Sequence, residues 1–211
     1  MSQAEVQKID TKHFYLRRLH SLLGVLPVSL FVVEHMISNA FILKGPDAYN
    51  GVIGLLRSLP FLVFIEVTFI GLPLFYHAAY GIYISLTGAP NVIRYGYLRN
   101  WMYFLQRVTG IIALVFISYH VWEFRLASEA YGFEVTYEAV AKAMQNPLIF
   151  WFYVIGMAGT FFHFANGLWL FCITWGITIG PKSQKVAGWI FTVLGLAIFW
   201  IGVQSIWVVS R

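Results

Sequence analysis

The side chains able to do chemistry in this 211-residue chain are first of all its six histidines. Four of them, His35, His77, His120 and His163, sit inside long apolar stretches, at successive separations of 42, 43 and 43 residues. An imidazole can ligate a metal, carry a proton or bridge two helices by hydrogen bonding. A single one in an apolar stretch is explained by an interhelical hydrogen bond. Four, one per stretch, call for something that binds them, because ionisable groups in such surroundings are costly to keep. Catalytic zinc takes three protein ligands, and non-haem iron takes two histidines and a carboxylate. Glu34 adjoins His35, but neighbouring helix residues point about 100° apart and are unsuited to one metal. Haem asks the protein only for axial ligands. Two neutral imidazoles leave its iron no open position, which suits electron transfer.

The surroundings of two histidines fit that chemistry. Phe75-Tyr76-His77-Ala78-Ala79-Tyr80-Gly81 and Phe161-Phe162-His163-Phe164-Ala165-Asn166-Gly167 share one pattern, F-[YF]-H-x-A-x-G. Gly81 and Gly167 fall at i+4, on the ligand's own face, where a missing side chain leaves room for a porphyrin. Close helix–helix packing is the other use of such glycines, and the two uses are compatible. There is no C-x-x-C-H sequence, so a haem here would be non-covalent, b-type. The lone Cys172 excludes an internal disulfide framework and a cysteine-held iron–sulfur cluster within the chain.

The elements that carry these residues follow from composition. Hydrophobic residues make up 59% of the chain and charged residues 11%, against about 25% charged in ordinary soluble domains. That excludes a soluble enzyme, a disordered chain and a nucleic-acid-binding protein. Five stretches, at about 22–42, 60–86, 102–122, 148–176 and 188–209, are long enough to cross a bilayer as helices. The expected fold is an all-α bundle of five transmembrane helices forming one domain over residues 1–211. A short helix is expected in the loop at about 123–147, and a kink at Pro73 before His77. Trp101, Trp122, Trp151, Trp175, Trp189 and Trp207 fall near span ends, as in an interfacial aromatic belt.

Charge orients the bundle. Lys8, Lys12, Arg17, Arg18, Arg94, Arg99, Arg107, Lys182 and Lys185 lie at one side; Lys44, Arg57, Arg125, Lys142 and Arg211 lie at the other. The positive-inside rule puts the first set and the N-terminus in the cytoplasm, and the C-terminus outside. At about 1.5 Å per residue, His35 and His120 are each ~20 Å from the cytoplasmic face. His77 and His163 are ~22–26 Å from the outer face. The histidines thus form an outer pair, His35 with His120, and an inner pair, His77 with His163. His13 reads as a surface residue. His20 and Ser21, beside Arg17 and Arg18, and Trp101 in the next cytoplasmic connection are candidates to meet inner-haem propionates. Glu66, about six residues into the second span from outside, is the candidate catalytic carboxylate. Asp47, Ser38, Asn39, Arg57 and Glu123 are further polar candidates at that end, for which solvated or capping roles are equally open.

Two segments, Tyr15-Leu16-Arg17-Arg18-Leu19-His20-Ser21-Leu22-Leu23-Gly24 and Arg99-Asn100-Trp101-Met102 continuing to Gln106-Arg107-Val108-Thr109-Gly110, together with the two histidine boxes and Thr174-Trp175-Gly176-Ile177-Thr178, carry a resemblance. The chain resembles the five-helix, diheme cytochrome b membrane anchors of the succinate dehydrogenase and fumarate reductase family, over nearly its whole length. The resemblance implies two haem b, the inner at higher and the outer at lower potential. It also implies a flavoprotein partner with covalent FAD, an iron–sulfur partner, a bacterial cytoplasmic membrane, and menaquinone as acceptor near the outer face. Electrons would pass from the iron–sulfur partner through both haems to the quinone. The fumarate reductases of this family carry an extra carboxylate in the helix of the last ligand. Here Thr160, Phe161 and Phe162 precede His163, so the proton path that such a carboxylate would serve is not implied. The alternatives are a fumarate reductase anchor working in reverse, a diheme anchor of another complex such as a hydrogenase or formate dehydrogenase, and an anchor without catalytic part. In the second, two ligands can share a helix, a pattern this chain lacks; the last leaves four buried histidines unexplained.

Overall fold

The computed structural model describes residues 11–89 and 91–211; Lys8, counted above, lies outside them. Five helices are long and apolar enough to span a membrane: α1 (Thr11–Lys44), α3 (Leu62–Thr87), α4 (Leu98–Tyr131), α6 (Pro147–Thr174) and α7 (Pro181–Val209). Two shorter helices, α2 (Pro46–Arg57) and α5 (Tyr137–Met144), lie in the connections at one end. Among the described residues there is no strand.

Three helices run well past the apolar stretches that announce them. α1 takes in Lys12, Arg17 and Arg18, α4 continues to Tyr131, and α7 begins at Pro181 rather than near 188. Apolarity marks only what hydrocarbon can cover. A helix goes on through polar residues until something breaks it. The breaks are Gly45 and Gly132, both at positive φ, and the Gly180-Pro181 step. The connection after α1 is likewise a helix, α2; Pro46 starts it and Asp47 stands in its first turn.

Prolines inside spans loosen the helix without ending it. Pro27 lies within a widened turn at Gly24–Ser29. A second widened turn, Glu66–Gly71, immediately precedes the Leu72-Pro73 step. Proline has no N–H to give, and its ring presses on the carbonyl four residues back, here Phe69 inside that turn. A third, Trp122–Leu126, follows His120 without any proline.

α6 is the central element, packed along its length against α4 on one side and α7 on the other, antiparallel to both. Small residues permit the approach. Gly156 faces the Phe116 ring, Gly159 faces Ile112, Gly195 faces Ala165, and Gly202 faces Met157. Without a hydrophobic drive inside lipid, such close packing is what holds helices together. At the end where α2 and α5 lie, Tyr49 and Met144 are the most buried large side chains and seal the connections onto the bundle. The six tryptophans of the proposed belt are all exposed. Gly156→Ala would drive a methyl group into the Phe116 ring. We expect a loss of about 1–3 kcal/mol in stability, measurable as lowered resistance of the solubilised protein to heat or denaturant.

Candidate functional site

The four apolar-stretch histidines meet in two pairs. His77 of α3 and His163 of α6 have ring centres 6.1 Å apart and planes at 86°. His35 of α1 and His120 of α4 have ring centres 5.6 Å apart and planes at 80°. Two imidazoles on opposite sides of one metal, each with a bond of about 2 Å, have ring centres about 6 Å apart. Both pairs therefore stand near that spacing. From Gly110, beside His163, to His120 is ten residues of α4, so the two levels are about 15 Å apart.

The second ring nitrogen of each inner histidine fixes its tautomer. His77 Nδ1 lies 2.9 Å from the His20 carbonyl oxygen. His163 Nδ1 lies 3.0 Å from the Gln106 carbonyl oxygen. A carbonyl only accepts, so each Nδ1 carries the proton and each Nε2 keeps its lone pair. This is the arrangement a metal-ligating histidine needs. The outer His120 Nδ1 is 3.3 Å from the Tyr153 hydroxyl, which itself donates to Glu123 Oε2 at 2.6 Å. With its one proton committed to the carboxylate, Tyr153 accepts from His120.

The inner site is built twice by the same device. A Cβ on Gly24 would collide with the His77 ring, and a Cβ on Gly110 would stand 3.0 Å from His163 Cε1. Each of these glycines lies four residues after the carbonyl that its histidine reaches, His20 and Gln106. The missing Cβ exposes that carbonyl on the helix flank. The relation is reciprocal. The His20 ring lies over Gly81, at 3.2 Å from where a Cβ would be, and the Gln106 amide lies over Gly167 at 3.3 Å. Gln106 Nε2 also donates to the His163 carbonyl at 3.1 Å. Positions 20, 24, 77 and 81 of α1 and α3 thus match 106, 110, 163 and 167 of α4 and α6, each shifted by 86 residues.

Gly81 and Gly167 accordingly receive side chains from the neighbouring helix, the packing use of those glycines. The glycines that face the inner imidazoles are Gly24 and Gly110, whose signal in the sequence is the His/Gln-x-x-x-Gly spacing. His20 stacks on His77 with ring centres 4.0 Å apart and planes at 9°. Parallel rings direct their in-plane lone pairs side by side, so His20 is no third ligand to the pair. Its Nδ1 is buried without a partner, as are Arg107 Nε and Thr178 Oγ1. All three lie toward the end of the bundle with most of the basic residues, and His20 Nδ1, on a ring stacked against His77, is the one an anionic group at the inner site would engage. Ser21 Oγ accepts from Trp175 Nε1 at 3.3 Å. Trp101 is exposed and sits edge-on to Phe104. The pairs, their tautomers and the orphaned polar atoms suit haem held by two axial imidazoles. Among the described residues, no cluster of three or more His, Cys, Asp or Glu side chains is placed to hold a metal ion.

At the other end, Glu66 lies in the widened turn of α3 and pairs with Arg125 of α4, at 2.7 and 3.0 Å. Arg125 also bonds Glu129. Ser38 is buried and donates to Glu34 at 2.5 Å, and Asn39 Nδ2 donates to the His35 carbonyl at 2.7 Å. Asp47 and Arg57 are exposed at the two ends of α2. Of the polar candidates, two reach a paired histidine: Asn39 Nδ2 lies 3.4 Å from both ring nitrogens of His35, and Glu123 is linked to His120 through the Tyr153 hydroxyl.

Comparison with known proteins gives the family. Residues 89–203 match the family described as succinate dehydrogenase/fumarate reductase transmembrane subunit. A relative from Bacillus subtilis (strain 168), the succinate dehydrogenase cytochrome b558 subunit, is 45% identical over 195 residues, covering 92% of this chain and 96% of the relative. The chain belongs to this family of transmembrane subunits. Its histidine pairs thus stand in a multi-pass membrane protein of the succinate dehydrogenase/fumarate reductase family. In it, Gly24→Ala or Gly110→Ala would push an inner imidazole off its carbonyl while leaving all four histidines in place. If each pair holds a haem, the expected outcome is loss of one component from reduced-minus-oxidised spectra, with the other retained; two intact components in both variants would contradict the cradle.

Proposed function

We propose that the chain is the membrane-anchor cytochrome b subunit of a succinate:menaquinone oxidoreductase. In this reading it holds two haem b, the inner on His77 and His163 and the outer on His35 and His120. The observation that carries the reading is the meeting of four histidines from four helices as two pairs at two depths, near the spacing that a shared iron demands. Bound there, haem supplies one-electron transfer without an open coordination position. The chain's own part is to hold Nε2 lone pairs in place. His77 and His163 do so by donating Nδ1–H hydrogen bonds to helix carbonyls, and His120 by donating one to the Tyr153 hydroxyl.

The basic residues, nine on one side against five on the other, support a cytoplasmic N-terminus in a bacterial cytoplasmic membrane. In this reading the inner pair faces the cytoplasmic partners, a flavoprotein with FAD and an iron–sulfur protein. The direction of transfer is then from those partners outward, to menaquinone near the outer pair. The B. subtilis relative is named for succinate dehydrogenase, which favours succinate oxidation over the reverse reaction. Reducing menaquinone takes two electrons and two protons. We assign Glu66 to the proton side of that step. It lies in the outer part of α3, and Arg125 holds its carboxylate in place. A carboxylate there can accept a proton from the outer face and pass it to a quinone oxygen.

Two results test this reading. Ala substitutions at His77 or His163 are expected to remove the same spectral component, and those at His35 or His120 the other; any other grouping contradicts the pairing. Glu66→Gln is expected to slow quinone reduction by about 10²-fold with both haem spectra intact. Unchanged turnover would contradict its role.

A further inference from the structure

The two levels differ in what receives the Nδ1 proton of the histidine. At the inner level both acceptors are neutral backbone carbonyls, those of His20 and Gln106. At the outer level the acceptor of His120 is the Tyr153 hydroxyl, and behind it stands a carboxylate, Glu123. Glu123 accepts at both oxygens: Tyr153 donates to Oε2 at 2.6 Å, and Tyr119, one turn earlier on the same helix face, donates to Oε1 at 3.2 Å. The shorter bond lies in the range of a hydroxyl bonded to an ionised carboxylate. Tyr153 is buried, at 4% exposure, with Phe116 and Phe124 against its ring. Low polarity around the chain strengthens each bond in it. Arg125, the nearest base in sequence, is bonded to Glu66 and Glu129, and Glu123 takes its hydrogen bonds from the two tyrosines.

We propose that Glu123, acting through Tyr153, is a positioning residue for His120 that makes this imidazole a stronger donor than its inner counterparts and so lowers the potential of the outer haem. The inference rests on His120 being an axial ligand. A carboxylate polarises the tyrosine O–H and leaves Oη a better acceptor. The Nδ1–H bond tightens, and Nε2 gives more electron density to the metal. Greater donation stabilises the oxidised iron. A backbone carbonyl lacks the charge to do this to the same extent. The relay thus supplies a physical cause for a difference between two sites that each offer two histidines. Neither Tyr153 nor Glu123 ligates the iron; they act through His120.

The test uses the whole membrane complex. Glu123→Gln and Tyr153→Phe are each purified with their partner subunits, and both haems are titrated by spectroelectrochemistry. The outer haem is expected to become easier to reduce by about tenfold in its equilibrium constant, about 59 mV for one electron. The inner haem should not move, and Glu123→Asp should restore part of the shift. A merely structural role would not move one potential selectively. Should Glu123→Gln lose the outer haem, Tyr153→Phe, which keeps the ring volume, decides alone. Two retained haems with an unmoved outer potential in the tyrosine variant would overturn the proposal. Retention of both haems by His120→Ala would instead overturn the ligand assignment beneath it, so the two failures are distinguishable.

Discussion

An imidazole inside a helix bundle in hydrocarbon has two nitrogens to satisfy and no water to satisfy them. Much of this structure follows from that constraint. If Nδ1 is to be a donor and Nε2 a free ligand, an acceptor must stand beside each histidine. A helix already uses its carbonyls in its own ladder, but each carbonyl has a second lone pair. Reaching it requires the flank of the helix to be open, and a glycine one turn later opens it. Gly24 and Gly110 do this for His77 and His163. Close contact of α1 with α3, and of α4 with α6, is thus a condition of the inner site as well as of the fold.

The same contacts explain why α6 is central. It presents His163 to α3 and α4 at one level and Tyr153 to His120 at the other. In between, Gly156 and Gly159 bring it against Phe116 and Ile112 of α4. The matching set of positions in α1–α3 and α4–α6 shows one helix-pair design used twice. The match does not extend to the outer histidines. His35 and His120 are 85 residues apart rather than 86, and His120 alone is backed by a tyrosine and a carboxylate. The second level is where the two halves differ.

Much of this was legible in the sequence. Five apolar stretches gave five spans, and the depth of His35, His77, His120 and His163 along alternating helices gave the pairs that meet in space. The limits of α1, α4 and α7 were not legible, because apolarity reports what lipid covers and not where a helix ends. Nor was the work of Gly81 and Gly167. Their i+4 position is visible in the sequence, but the neighbour that fills the space belongs to another helix. The partner of Glu66 was hidden for the same reason: Arg125 is 59 residues away. Glu123 looked like one of several polar residues at a helix end. Only the approach of Tyr153 from α6 sets it apart.

The account stands on two metal sites per chain, each made by two imidazoles. The most direct measurement is the molar ratio of haem b to polypeptide in the purified complex, by alkaline pyridine haemochromogen against amino-acid analysis. The account predicts two haems per chain, both low-spin; one haem or none would contradict it.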